Sequence, residues 1–502
     1  MARCTPALLP CVPFAAVVAV ATLAGSSIAA ERPWIEIKTP HFVVVANTGE
    51  RTAREVGWQF EQVRYVLETL WPWARRTGGR PFVVIALRDS SDMKALAPEY
   101  WEKGHDGTAG VSVWGADKDY VALEAGVALP DDLRTNPYYF AYWGYANHAL
   151  QDAFPRALPM WFVRGISDLF GNTLVRGKEV QVGRLLSHHL RNLNGSVRIP
   201  LSELLAADRK SRYFTDDRAR ETFDAESWLF VHYLVFGDKG VHQAQLNRFA
   251  ELLRDGRSGD VALREGFGDL SAVDKGFQYY VGRQMYSYSM IKGDLNVKPE
   301  GFGVRPLSPA AAAALRAGFH VAMERPREAR ALIEEARRTE PASALATEAE
   351  ALLLDHEDKR DEAVAAYGRA AETGSENFYV YYRRASLMWR SGPPKETMVQ
   401  IAKLLEQATR LNPEHAWAQD SLARALAETD PGERAVAAAR KAVSLEPSVA
   451  SHRLALVQAL WTTSQEADAR RELQTARALA SEDGDRRAVQ GWIDFMDRAR
   501  PR

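Results

Sequence analysis

Residues 308–502 repeat themselves at a short period, and this constrains the fold more than any other feature of the 502-residue chain. Prolines close helix-like runs in "RRTEP" (Pro341), "TRLNP" (Pro413) and "VSLEP" (Pro447). Pro413 and Pro447 are 34 residues apart. Pro341 and Pro413 are 72 apart, two such periods with a small excess that "SGPPKE" can absorb. A unit of that length holds one antiparallel helix pair. Alone it cannot cover its apolar face, so it must stack on copies of itself.

In the unit ending at Pro447, Leu422, Ala423, Leu426, Ala435, Ala439 and Ala442 stand at packing positions. Ala329 and Ala336, Ala363 and Ala370, Ala408, and Ala469 and Ala476 are the small second-helix residues of the other units. Small residues let paired helices approach; Ile333, Tyr367, Leu405 and Leu473 then fill the core between units. The pattern resembles an all-α tetratricopeptide solenoid of about five repeats, capped by a polar helix near Arg486–Arg498. The resemblance implies a concave face for a protein or peptide partner and little chemistry of its own. Tyr379, Tyr381, Tyr382 and Trp389 form an aromatic stripe in one repeat, expected as core packing, with a groove wall as the alternative.

The N-terminus reads differently. Arg3 precedes the apolar run "CVPFAAVVAVATLAG", and "SSIAA" offers small residues before Glu31. Residues 1–30 are predicted to be a secretory signal peptide, cut after Ala29 or Ala30. The run is too short for a comfortable membrane span, so the mature chain is expected to be periplasmic or secreted, without a transmembrane span. Both cysteines, Cys4 and Cys11, fall inside this segment. The mature chain then has no disulfide and no thiolate nucleophile or metal ligand. A net charge of -1 gives no electrostatic reason to expect nucleic acid as partner.

Between these segments, "WIEIKTPHFVVVANT" predicts a strand, "GERTAREVGWQFEQVRYVLETLW" a helix and "RPFVVIALRD" a buried strand. "GVSVWGADKDYVALEAG" predicts a hairpin turning near Gly115–Asp119. From Asn136 to about Val281 the pattern is mostly helical. Strands first and helices after predict an α+β domain over residues 31–293. Residues 294–307, rich in Gly and Pro, read as a linker to the repeats at 308–502. "GDKG" and "GFGDL" read as turns.

"TPHFVVVAN", "DYVALEAG", "LPMWFVRGISDLF", "IPLSELL" and "FDAESWLFVHYLVFG" together resemble the bacterial peptidase MA-like domains, gluzincin-type zinc peptidases often fused to tetratricopeptide repeats. The resemblance spans about Trp34 to Tyr280 and implies a gluzincin-like α+β domain. Such enzymes hold zinc with two histidines four apart on one helix and a glutamate from the next, and use a second glutamate as base. Laid on that pattern, the histidines fall at Trp143 and Asn147, the base at Gly144 and the third ligand at Arg164. A tyrosine common before the "SW" pair is replaced by Asp224. Trp and Gly cannot coordinate zinc, Asn is a weak neutral ligand, and Arg164 is a cation where a dication should sit.

His148 and Asp152 are four apart, and Asp168 lies one turn beyond Arg164, so these three are the candidates for a rebuilt zinc site. The adjacent His188 and His189 are expected to point apart on a helix, and His232 lies elsewhere. No metal or cofactor is therefore expected, zinc being the alternative. Arg164 is expected to pair with Asp168 or Asp152, or else to face an open cleft and take a carboxylate. The expected function is an exported, non-catalytic pseudopeptidase that binds proteins or peptides; the alternative is a zinc peptidase with displaced ligands.

Overall fold

The computed structural model describes residues 33–499, apart from 77–78, 103–106, 130–134, 155, 195, 284, 293–297 and 391. The predicted signal peptide and its two cysteines lie outside the described residues. Strands β1 (Ile35–Lys38), β2 (Val43–Ala46), β3 (Phe82–Leu87), β4 (Gly110–Trp114), β5 (Asp119–Glu124) and β9 (Gly303–Pro306) form one sheet, ordered β4-β5-β3-β2-β1-β9. β2, β3 and β5 run parallel, while β4, β1 and β9 each join antiparallel. β3 is buried at every position, because a central parallel strand is covered on both faces.

"WIEIKTPHFVVVANT" makes two strands rather than one. The chain reverses at Thr39–Phe42, where Thr39 Oγ1 accepts the Phe42 N–H at 2.9 Å and donates to Glu61 Oε1 at 2.7 Å. The expected helix is α1 (Glu50–Leu70), and the expected hairpin is β4–β5.

The remaining helices before the repeats are α2 (Ser90–Leu96), α3 (Tyr139–Ala153), α4 (Met160–Gly171), α5 (Ser187–Asn194) and α6 (Leu201–Ala206). After these come α7 (Asp217–Phe236), α8 (Gln243–Arg254), α9 (Gly259–Phe267) and α10 (Leu270–Val281). The stretch expected to be mostly helical also holds a hairpin, β6 (Leu174–Arg176) and β7 (Glu179–Val182), which pairs with β8 (Ser289–Lys292). Gly177 at φ +54° makes its tight turn, a conformation that glycine adopts without strain. "GDKG" and the Gly268 region of "GFGDL" are turns, as expected.

The repeats appear as five helix pairs and a last helix. The pairs are α11 (Pro309–Ala322) with α12 (Pro326–Thr339), α13 (Ala344–His356) with α14 (Arg360–Glu372), and α15 (Phe378–Trp389) with α16 (Lys395–Leu411). Then follow α17 (Ala416–Thr429) with α18 (Glu433–Leu445), α19 (Ala450–Thr462) with α20 (Glu466–Leu479), and α21 (Asp483–Arg498). Every small residue and filler named from the sequence is buried. This is a tetratricopeptide-like all-α array after an N-terminal α/β region. No helix among the described residues is long and apolar enough to cross a membrane.

The stretch read as a linker is not one over its described part. β9 pairs with β1, and Leu307 N donates to Trp34 O at 2.8 Å. The first repeat helix then completes the sandwich. Val83, Ile85, Tyr120 and Ala122 on one sheet face pack with Met93 and Leu96 of α2 and with Ala312 and Phe319 of α11. The opposite face packs on α1 and α3. Gly and Pro in this stretch therefore mark an edge strand and its turns, because an edge needs only half of its backbone donors paired.

Two further junctions tie the repeats to the N-terminal region. Asn377, the N-cap of α15, donates to Asp117 in the β4–β5 turn at 2.8 Å. Arg156, between α3 and α4, donates to the carbonyls of Gly256 (2.6 Å), Ser448 (3.3 Å) and Leu479.

Candidate functional site

α3 and α4 carry all the positions that the peptidase resemblance singled out except Asp224, which is on α7. α3 is buried along most of its length, so its side chains are fixed by what it packs against. Gly144 meets the edge strand: a Cβ placed there would lie 2.1 Å from Ser112 Oγ and 2.2 Å from Ser112 Cβ. Gly165 does the same for α4, where a Cβ would come within 2.4 Å of Ser227 O on α7. Both glycines allow backbones to approach where a side chain would separate them.

Trp143 turns the other way. Its indole N–H donates to Asp168 Oδ1 at 2.8 Å, and the Arg164 guanidinium lies 5.7 Å from its ring centroid. Arg164 Nε is 3.5 Å from Asp224 Oδ1. The expected partners of Arg164, Asp168 and Asp152, are thus corrected to Asp224: α7 crosses α4 at Gly165 and brings Asp224 beside Arg164. Asp168 is taken by Trp143, by the Tyr139 hydroxyl and by His189 Nε2 at 2.9 Å. Burial pushes the Asp224 carboxyl up to about 6, with Arg164 opposing and the Asp168 charge adding to the rise. The Tyr139 hydroxyl is raised well above its usual range by burial and by the Asp168 charge.

His148, Asp152 and Asp168 do not come together. His148 is fully buried, stacks on Trp114 at 4.2 Å and places Nδ1 3.3 Å from Asp119 Oδ2. Burial pushes the His148 imidazole down, towards its neutral form. Asp152 accepts from Arg76 Nε at 2.5 Å, and Arg76 also reaches Asp119 at 3.0 Å. Arg80 Nε is 3.3 Å from Asp119. Two arginines thus already balance these carboxylates. Among the described residues, no group of three or more His, Cys, Asp or Glu is placed to hold a metal ion.

The residues at the expected zinc positions do not fit that ion. They present an indole N–H, a glycine against a strand, an amide and a guanidinium. Nor do His188 and His189 point apart: their ring centroids are 4.3 Å from each other. Only His189 reaches Asp168, and burial with the neighbouring His189 pushes His188 down to about 4. His232 is buried between Tyr280 Oη (2.8 Å) and Gly183 O (2.9 Å).

Trp143, Asn147 and Arg164 line a cleft of about 960 Å³ that could hold a ligand. It runs from Trp114 at the end of β4, along α3 and the start of α4, to Arg209 and Lys210 after α6. Four cations, Arg80, Arg164, Arg209 and Lys210, face two carboxylates, Asp208 and Asp260. Asp168, His148 and Asp152 are not among its lining residues. The arginine pair on Asp119, the Tyr139–His189 bracket on Asp168 and the basic rim at 209–210 were missed from the sequence. The signal for the first was Asp119 itself, a carboxylate opening a strand whose next four residues are apolar. In the aromatic stripe, Tyr381 is buried and donates to Ser375 O at 2.9 Å, as core packing requires. Tyr379 lines a separate cavity of about 320 Å³ between the β4–β5 turn and the repeats.

No family model matches the chain, and no curated protein matches it. Among solved structures it is similar to YrrB, described as a TPR protein with an unusual peptide-binding site. The identity is 16% and the TM-score 0.32, covering 37% of this chain and 92% of that one. MamA from Desulfovibrio magneticus RS-1 is similar at 18% identity and a TM-score of 0.29, covering 35% of this chain and 98% of that one. Likenesses of this size concern the fold alone; the array of five helix pairs rests on its own geometry.

Proposed function

We propose that this is an exported, non-catalytic binding protein: a gluzincin-like α+β domain, without its metal site, carried on a tetratricopeptide scaffold and binding a peptide or protein in the periplasm. The observation that carries the reading is the pair of contacts Trp143–Asp168 and Arg164–Asp224. They put an N–H donor and a fixed cation where zinc chemistry needs a lone pair and an open coordination position. Gly144 adds a second reason. Its helix face is seated on β4, which leaves no room for a carboxylate base at that position. A cleft with mixed aromatic and cationic walls remains, and it suits binding better than hydrolysis.

In this proposal the N-terminal region extends through β9 and α11, and residues 1–30 are removed on export. The test is the metal content of the mature protein, purified without a metal-binding tag, equilibrated with zinc and dialysed. The expected result is no stoichiometric zinc and no zinc-dependent rise in Tm. Stoichiometric zinc, or cleavage of a casein substrate abolished by chelation, would overturn the reading.

A further inference from the structure

We infer that Arg164 receives the C-terminal carboxylate of a peptide ligand whose last side chain is apolar. The inference rests on the reading of the cleft as a peptide-binding site and names what that site recognises. The four cations of the cleft are not equivalent. Arg80 is engaged by Asp119 (3.3 Å) and by Gly115 O (3.0 Å). Arg209 and Lys210 are exposed at the rim. Arg164 stands in the wall, its side chain 27% exposed, with Trp143 against one side and Asp224 at Nε.

A guanidinium has five N–H donors, and a carboxylate uses two of them in a fork, so one contact at Nε leaves Arg164 with capacity for a second anion. One such cation fits one carboxylate at a fixed place, not a string of acidic side chains. The wall around it is apolar: Leu158, Met160, Val163 and Leu205 line the same cleft. An acidic side chain from mid-peptide would press polar backbone on both sides against that wall, at a desolvation cost. A chain terminus brings backbone from one side only and sets its last side chain on the apolar residues.

The experiment uses the full mature protein and a randomised peptide pool with free C-terminal carboxylates, run beside the same pool carboxamidated. Retention is measured by equilibrium dialysis and mass spectrometry. The wild type should retain the free acids about tenfold to hundredfold better than the amides, the range of a charge-assisted bond. Apolar last residues should be enriched among them. Arg164→Gln should erase the preference for acids, and Arg164→Lys should keep only part of it. Because Arg164→Gln leaves Asp224 without its partner, Arg164→Gln/Asp224→Asn is measured as well, with circular dichroism to establish folding. The double variant should also show no preference. Equal retention of acids and amides would overturn the carboxylate inference and leave the peptide-binding reading standing. A preference that survives in both variants would place the carboxylate elsewhere and overturn it too. Retention of neither pool would overturn both readings.

Discussion

Replacing Gly144 by alanine tests the close seating of α3 on β4, on which the proposed absence of a catalytic base at this position depends. On helix propensity alone the change should help, since alanine in a helix interior is favoured over glycine by about 1 kcal/mol. The structure predicts the opposite. The new Cβ would lie 2.2 Å from Ser112 Cβ, whereas carbon atoms rest at about 3.5 Å or more. Ser112 cannot swing away, because its Cβ is fixed to β4, which pairs with Val121 of β5. α3 is pinned on its other sides by a buried aromatic core. The helix and the strand must therefore part by about 1.3 Å to restore a normal contact.

Overpacking of this kind costs about 1–3 kcal/mol. Both partners here are rigid, so the upper part of that range applies. After the propensity gain, a net loss of about 1–2 kcal/mol remains. Urea unfolding followed by tryptophan fluorescence reads this loss. A double-mutant cycle isolates its cause: in Ser112→Gly/Gly144→Ala the nearest strand atom is Ser112 Cα at 3.7 Å, an ordinary contact. The pair should recover to near wild type, with a coupling of about 2–3 kcal/mol. A Gly144→Ala protein as stable as the wild type, or more so, would refute the seating of α3 on β4 and with it the argument against a glutamate at 144.

Three other outcomes are expected. Asp224 binds its proton at about 6 in the fold against an ordinary 3.8, with Arg164, Asp168, His189 and Arg220 around it. Its contribution to stability is therefore fully present below about pH 4 and lost as pH rises through about 6, by up to about 3 kcal/mol. Asp224→Asn should remove that component, so the stability difference between variant and wild type should change across this window and stay flat above it. Arg156→Ala loses its bonds to three backbone carbonyls and should cost about 2–4 kcal/mol. Faster hydrogen exchange should follow at Gly256 and in the turns before α19 and α21, and unchanged exchange there would count against this junction. A chain ending at Pro306 lacks α11 and leaves the face of Val83, Ile85 and Tyr120 covered only by α2, so it should aggregate or bind ANS. A chain continued to Thr339, which keeps α11 and α12, should do so much less.

Local periodicity made much of this protein legible in its sequence. The helix pairs could be read because each repeat buries its alanines and fillers against neighbours close along the chain, and residues such as Ala435 and Leu405 carry that information in their spacing. β3 was readable because a strand covered on both faces must be apolar throughout. That Trp143, Gly144 and Arg164 are no zinc ligands, and Asn147 at best a weak one, was readable by residue type.

Tertiary structure decided the rest. The partner of Arg164 is Asp224, set by where α7 crosses α4, and no spacing within α3 and α4 could have revealed it. His148 and Asp152 were available to a metal on paper. Arg76, brought in from before β3, pairs with Asp152 instead, and His148 is buried beside Asp119, which Arg76 and Arg80 hold. The expected linker became an edge strand because β1 had an open side, and α11 became a layer of the sandwich because the sheet had a bare face. Helix pairing is settled among neighbours in sequence, whereas ion pairs, sheet edges and covered faces are settled by whichever distant segment arrives with matching charge, donors or apolar area.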